Sequence, residues 1–288
     1  MIHEVLERFI VAVLARPPGD RPRPDQPWTD ADREQMLTIA GQVCATFEAH
    51  GLTGRPIFWR RDRRRIVTDL LRFLDADSRH RRDTNTTPLA AELAFGVRGS
   101  TLDAVPLAMP DGRAVAFRGR ADRVDVADDG TLHVVDYKTG GSFGYQDLSA
   151  EDPALRGRKL QLAVYGAAAR RNYGTAGTAV QAEYWFVSAK GKFKRVGYLV
   201  TPEVLDRVGE TLATMVAGIE AGVFPNHPTA TTTTPWVECW FCDPDNLGVA
   251  EMRRHWERKR TDPALAVFAD LAEPLAAIET VTEEIGDV

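Results

Sequence analysis

The chain is expected to fold as an α/β protein, with a mixed central sheet flanked by helices and an additional helical region. Three observations lead there. An Asp128-Asp129-Gly130 step separates two runs rich in strand formers, 114–127 and 131–138, and Asp-Gly between such runs is a strong hairpin signal. From about residue 84 to 221 the pattern reads strand, hairpin, helix, strand, strand, helix, an order that suggests an α/β layer structure. The 288 residues, 44% of them hydrophobic, suffice to bury one sizeable core.

In chain order, residues 1–14 open an amphipathic helix with His3 near its start, and a Pro-rich connector covers 17–27. Thr29-Asp-Ala-Asp32 is a capping box for a helix running to about His50, where Gly51 stops it. A further helical pattern covers 63–76, and the Asn/Thr-rich stretch 84–88 leads into the core. Glu92 sits in a short strand-like stretch, 89–96. The apolar spacing and alanine content of 155–171 predict a helix, on which Gln161 and Tyr165, four apart, share a face. Two strand-like runs, 179–187 and 193–200, flank a turn at Gly191, and a helix follows to about 221. The chain thus divides into an amino-terminal helical region at 1–83, a core at 84–222, and an extension at 223–288. That extension holds Cys239-Trp-Phe-Cys242, a basic helix at 249–260 and an acidic tail. No internal repeat is visible.

The hairpin carries the chemistry. If residues 128–130 form a three-residue loop with Gly130 in the left-handed conformation, position 127 pairs with 131 and Asp122 falls across from Asp136. Facing residues point to the same side, and the two-residue period adds Lys138 to that side. Two like charges so placed repel unless a cation sits between them, which favours a hard divalent metal with oxygen ligands. A two-residue Asp129-Gly130 turn would instead pair 122 with 137 and send the carboxylates to opposite faces. Taken singly, these three residues also fit a surface salt-bridge cluster, but the apolar flanks Val124, Val134 and Val135 suggest a buried strand, where unpaired carboxylates are costly.

Taken in order, His3 on a helix, Glu92 on a first strand, Gly-Arg-Ala-Asp122-Arg123, Asp136-Tyr-Lys138 and Gln161-Leu-Ala-Val-Tyr165 resemble the RecB-type nuclease domain of the PD-(D/E)XK phosphodiesterase superfamily. The likeness spans roughly residues 1–200, and the order of five parts is far more specific than any single motif. It implies a restriction-endonuclease-like sheet and a metal-dependent deoxyribonuclease. His3, Asp122, Asp136 and the backbone carbonyl of Tyr137 would hold Mg2+ or Mn2+. Lys138 would orient or help deprotonate the attacking water, Glu92 would support the metal or its water, and Gln161 and Tyr165 would hold the nucleic-acid backbone or the lysine. Arg123 is carried over with Asp122 as a DNA contact. Exonuclease action on ends or single strands, in repair or recombination, is the tendency of the family. An endonuclease in DNA defence and a noncatalytic DNA-binding scaffold are the rival readings.

The net charge of −5 argues mildly against a nucleic-acid binder, but distribution matters more than the sum. Basic residues cluster at 60–65, 79–82, 190–195 and 253–260. Lys190, Lys192, Lys194 and Arg195, around the Gly191 turn, are the best candidates to meet DNA. No Gly-x-x-x-x-Gly-Lys-Ser/Thr loop is present, so no ATPase is expected in this chain, which reads either as a separated nuclease domain or as one that works beside a helicase or ATPase partner. Nothing resembles a membrane span or signal peptide, and three cysteines fit a reducing, cytoplasmic setting. Some relatives of the family hold an iron–sulfur cluster on four cysteines. Here Cys44 is the only thiol besides Cys239 and Cys242, so such a cluster cannot form within one chain. Zn2+ on Cys239 and Cys242, completed by His227 or His255, competes with a plain packing role for that segment.

Overall fold

The structure, a computed structural model, describes residues 1–225, 227 and 249–272. It resolves by chain contacts into two compact units. Unit 1 comprises 1–108, 114–155 and 159–208, and unit 2 comprises 109–113, 156–158 and 209–288.

Unit 1 contains helices α1 (Ile2–Leu14), α2 (Asp30–Ala49), α3 (Pro56–Thr84) and α4 (Gln161–Tyr173). Its main sheet consists of β1 (Thr86–Phe95), β4 (Gly119–Ala127), β5 (Leu132–Lys138), β6 (Val180–Phe186) and β7 (Arg195–Leu199), in that spatial order. Three of the four pairings are antiparallel, and β5 with β6 is parallel. The parallel pair needs a crossover, which α4 supplies. A separate two-stranded sheet pairs β2 (Val105–Ala108) with β3 (Ala114–Phe117). A mixed sheet flanked by helices is the expected fold class.

Local signals explain the boundaries. The Thr29 hydroxyl accepts the Asp32 amide at 3.2 Å while the Asp32 carboxylate accepts the Thr29 amide at 2.8 Å, so the capping box starts α2 as read. Gly51, at φ +68°, follows the end of that helix. Pro56, at the first helical position where no amide is needed, starts α3 earlier than periodicity suggests, and Asn85 in the left-handed conformation ends it.

Two expectations need correction. The helix predicted over 155–171 begins only at Gln161, because Leu155, Arg156 and Gly157 all have φ between +45° and +80° and cannot be helical. The run 114–127 is not one strand: it divides at Arg118 into β3 and β4, which belong to different sheets.

One sheet face is covered by α1, α2 and α3. Val5, Leu6, Phe9, Ile10 and Val13 form the apolar stripe of α1, spaced by three and four. They pack with Met36 and Val43 of α2, Leu70 and Phe73 of α3, and Val135, Tyr137 and Trp185 of the sheet. Each such large side chain contributes about 1.5–3 kcal/mol on burial. The packing also fixes where the start of α1 lies, and with it His3.

In unit 2, α5 (Pro202–Glu220, whose first residues belong to unit 1) is followed by α6 (Val249–Lys259) and α7 (Ala266–Ala272). His227, Trp256 and Phe268 form an edge-to-face ring cluster with centroids 4.6–5.8 Å apart. Cys239 and Cys242 lie outside the described residues, and with them the Zn2+ reading. Among the described residues, no helix is long and apolar enough to cross a membrane.

Candidate active site

The β4–β5 turn has the three-residue form. The Ala127 amide donates to the Thr131 carbonyl at 2.9 Å, the Gly130 amide donates to the Ala127 carbonyl at 2.9 Å, and Gly130 sits at φ +85°. The ladder then runs Val126–Leu132, Val124–Val134 and Arg123–Val135, so the next facing pair is Asp122 and Asp136. Both carboxylates and Lys138 share one face, opposite to the face that holds Val135 and Tyr137.

Each group has a defined partner. Asp122 Oδ2 accepts the Tyr137 amide at 2.6 Å and lies 3.8 Å from His3 Nδ1. Asp136 is nearly buried and forms an ion pair with Lys138. The Lys138 ammonium meets Asp136 Oδ2 directly and is the cation that compensates it. Lys138 Nζ donates to Gln161 Oε1 at 3.2 Å, and Gln161 Nε2 donates to the Tyr165 hydroxyl at 3.3 Å. One turn of α4 therefore holds the lysine by a chain of side chains. Lys138 Nζ also stands 5.0 Å from the Tyr184 ring centroid, within cation–π range.

Glu92 occupies the β1 position between the pairs Ala91–Arg123 and Leu93–Ala121, which sets it beside Asp122. Its φ of +52° is left-handed, a strained conformation for a glutamate inside a strand. Burial pushes its carboxyl up to about 7, with Asp122 and Glu7 adding to the rise and Arg120, at 3.9 Å, opposing it. Burial pushes Asp136 up to about 6; Lys138 opposes the rise and Asp122 adds to it. Asp122 is also raised, by burial first, against the pull of His3, the Tyr137 amide and Lys138. Three acids that resist ionisation side by side, with one lysine among them, describe a site short of positive charge. An imidazole and two carboxylates form a donor set that suits Mg2+ or Mn2+.

The remaining expected contacts separate. Lys190 is exposed and lines a cavity of about 760 Å3 together with His3, Trp59, Arg65, Asp69 and Ser188. Lys192 and Lys194 are exposed on the same loop. Arg123 is a correction, because it is fully buried on the opposite sheet face. It donates to Asp77 and Asp125 at 2.6 Å each and cannot reach a nucleic acid from there. Arg195 likewise sits half-buried, 3.6 Å from Glu183 and stacked near Trp185, and is engaged away from the hairpin site.

Glu7 and Tyr184 were missed by sequence reasoning. Glu7 follows His3 by four residues and so shares its helix face, a signal that was available. Tyr184 faces Asp136 in the parallel ladder, a pairing that no sequence pattern fixed.

A mixed sheet whose central hairpin carries this acid and lysine pattern defines a nuclease of the phosphodiesterase class. The superfamily profile agrees: that of the PD-(D/E)XK nuclease superfamily matches residues 1–246, and the chain belongs to that superfamily. It is similar to an ATP-dependent helicase/deoxyribonuclease subunit of Desulforamulus reducens, with 30% identity over 48% of this chain and 12% of that protein. The protein of the same name from Acetivibrio thermocellus is 27% identical over 57% of this chain and 14% of its own length. The one from Moorella thermoacetica is 36% identical over 36% and 9%. The matched region is thus a small part of each relative.

Proposed function

We propose that the protein is a Mg2+- or Mn2+-dependent DNA nuclease that acts on ends or single strands in repair or recombination, beside a helicase partner. The observation that carries this reading is the facing of Asp122 and Asp136 on one hairpin, with Lys138 on the same side and His3 at 3.8 Å. His3, Asp122, Asp136 and the Tyr137 carbonyl would hold the ion. When bound, it supplies Lewis acidity to a phosphoryl oxygen and to the attacking water.

The protein side of the chemistry follows from the contacts. Lys138, held by Gln161, directs its ammonium at the charge that develops on the phosphate. Tyr165 keeps Gln161 in place and, with it, the lysine. Glu92, whose carboxyl changes protonation near 7, is suited to hold or pass a proton at the water. The Lys190 and Arg65 side chains, at the cavity beside His3, offer cations for a phosphate backbone. The relatives carry helicase and deoxyribonuclease in their names, which supports DNA as substrate and a helicase as partner.

The test is cleavage of end-labelled single-stranded, double-stranded and circular DNA with Mg2+, Mn2+ or EDTA, by the purified chain and by Asp136→Ala and Lys138→Ala. Metal-dependent cutting lost in both variants is the expected result, and resistance of the circle marks an exonuclease. Cutting that survives both substitutions would sink the assignment of the site.

A further inference from the structure

On the sheet face opposite the hairpin site, three side chains from three elements converge: His80 of α3, His133 of β5 and Glu183 of β6. All are buried, His80 to 2% exposure, and each offers one ligand atom such that the three lie within 4.8 Å of one another. Neither ring nitrogen of His80 has a hydrogen-bond partner, and neither does Nδ1 of His133. A neutral imidazole must bear one N–H, so the buried His80 ring leaves a donor and an acceptor unsatisfied, at about 1–3 kcal/mol for each. Buried groups of this kind call for an unseen partner.

We propose that His80, His133 and Glu183 bind a structural transition-metal ion of the Zn2+ type, separate from the ion of the hairpin site. Two imidazoles and a carboxylate form a recurrent three-residue zinc set, in which a water would complete the tetrahedron, whereas an all-oxygen site would suit Mg2+. An ion centred among atoms that all lie within 4.8 Å of one another would sit at most about 2.8 Å from each, so shifts of no more than roughly 0.7 Å bring Zn2+ bond lengths near 2.1 Å. Side-chain torsions supply that motion.

The surroundings suit such an ion. Asp125 faces His133 across the β4–β5 ladder and has a buried, unpartnered Oδ2, the type of group that orients a metal-bound histidine through its second nitrogen. Burial raises the Glu183 carboxyl to about 7, with Asp125 adding to the rise, which a cation would reverse. Arg195, 3.6 Å from Glu183, is the opposing charge; its side chain is about a third exposed and can turn outward. Burial of all three ligands beneath α3 suits a structural role, tying that helix to β5 and β6. β5 carries Asp136 and Lys138 a few residues beyond His133, and the tie would stiffen the hairpin from behind.

The experiment is Co2+ titration of the full chain carrying Cys239→Ser, Cys242→Ser and Asp136→Ala, which removes the paired thiols and disables the hairpin site, leaving only the single buried thiol of Cys44. One equivalent of Co2+ with tetrahedral d–d absorption, displaced by Zn2+, is expected, and His133→Gln or Glu183→Gln should weaken it at least tenfold. X-ray absorption of the Zn2+-loaded triple variant should show nitrogen and oxygen ligands with two imidazoles, which keeps the proposal testable if the added substitutions prevent folding. Absence of tight binding by the triple variant, or an imidazole-free shell, would overturn it.

Discussion

His3 Nδ1 lies 3.8 Å from Asp122 Oδ2, so the first turn of the chain reaches the carboxylate of a central strand. The His3 ring also meets that of Tyr137 edge-on, with centroids 6.2 Å apart. The position depends on the apolar stripe of α1, above all on the fully buried Phe9. Two substitutions should therefore separate. His3→Gln, at a side chain 45% exposed, is expected to leave the melting temperature unchanged and weaken Mn2+ binding at least tenfold, measured by calorimetric titration. Phe9→Ala should cost about 3–5 kcal/mol of stability in urea denaturation and lower metal affinity as a consequence.

Protonation of the site gives a second expectation. The Glu92 carboxyl titrates near 7 in the fold against 4.5 unfolded, so the folded protein holds a proton that the unfolded chain releases. Its contribution to stability is fully present below about 4.5 and is lost as pH rises through about 7. Asp136, raised to about 6, acts in the same direction. In EDTA, the melting temperature should fall between about pH 4 and 7, and Glu92→Gln should flatten the upper part of that fall. Mn2+ must displace these protons, so its affinity should rise with pH over the same window, and calorimetry in buffers of different ionisation enthalpy should register proton release.

Much of this arrangement was legible because it is local. Loop length and Gly130 set the hairpin register, and the four-residue spacing set Gln161 and Tyr165 on one helix face. What was not legible depends on partners distant in sequence. The parallel pairing that brings Tyr184 to Asp136, and the α3 acid that claims Arg123, leave no periodic trace. Alternation could still have corrected Arg123: if Asp122 faces the site, its neighbour in the strand faces away. Leu155 and Arg156 show the other limit, since their left-handed backbone contradicts a helical apolar pattern.

The burial of Arg123 yields a stability prediction in place of a DNA-binding one. Its guanidinium compensates Asp77 and Asp125, both with no exposed side-chain surface. Removing Arg123 leaves the buried Asp125 without its ion-pair partner, while Asp77 keeps Arg81 at 3.1 Å. One unpaired buried charge of this kind costs about 3–5 kcal/mol. Arg123→Ala should lower the urea midpoint accordingly, with Arg123→Met less severe because it fills the space. The fraction that remains folded should bind DNA as the parent does. A selective loss of DNA affinity at unchanged stability would return Arg123 to the interface.

Lys190 should behave in the opposite way. It is exposed, it lines the cavity beside His3, and among the described residues it forms no ion pair. An exposed lysine that meets a phosphate contributes through release of a condensed counterion, which shows as salt dependence and is nearly independent of base sequence. Lys190→Ala should therefore leave the melting temperature in place and weaken single-strand binding, and the slope of log affinity against log salt should become shallower by about one. Lys192→Ala and Lys194→Ala, on the same loop, test how far the track extends. A Lys190→Ala protein with the parent's salt slope would place the backbone elsewhere, because a lost phosphate contact cannot leave that slope unchanged.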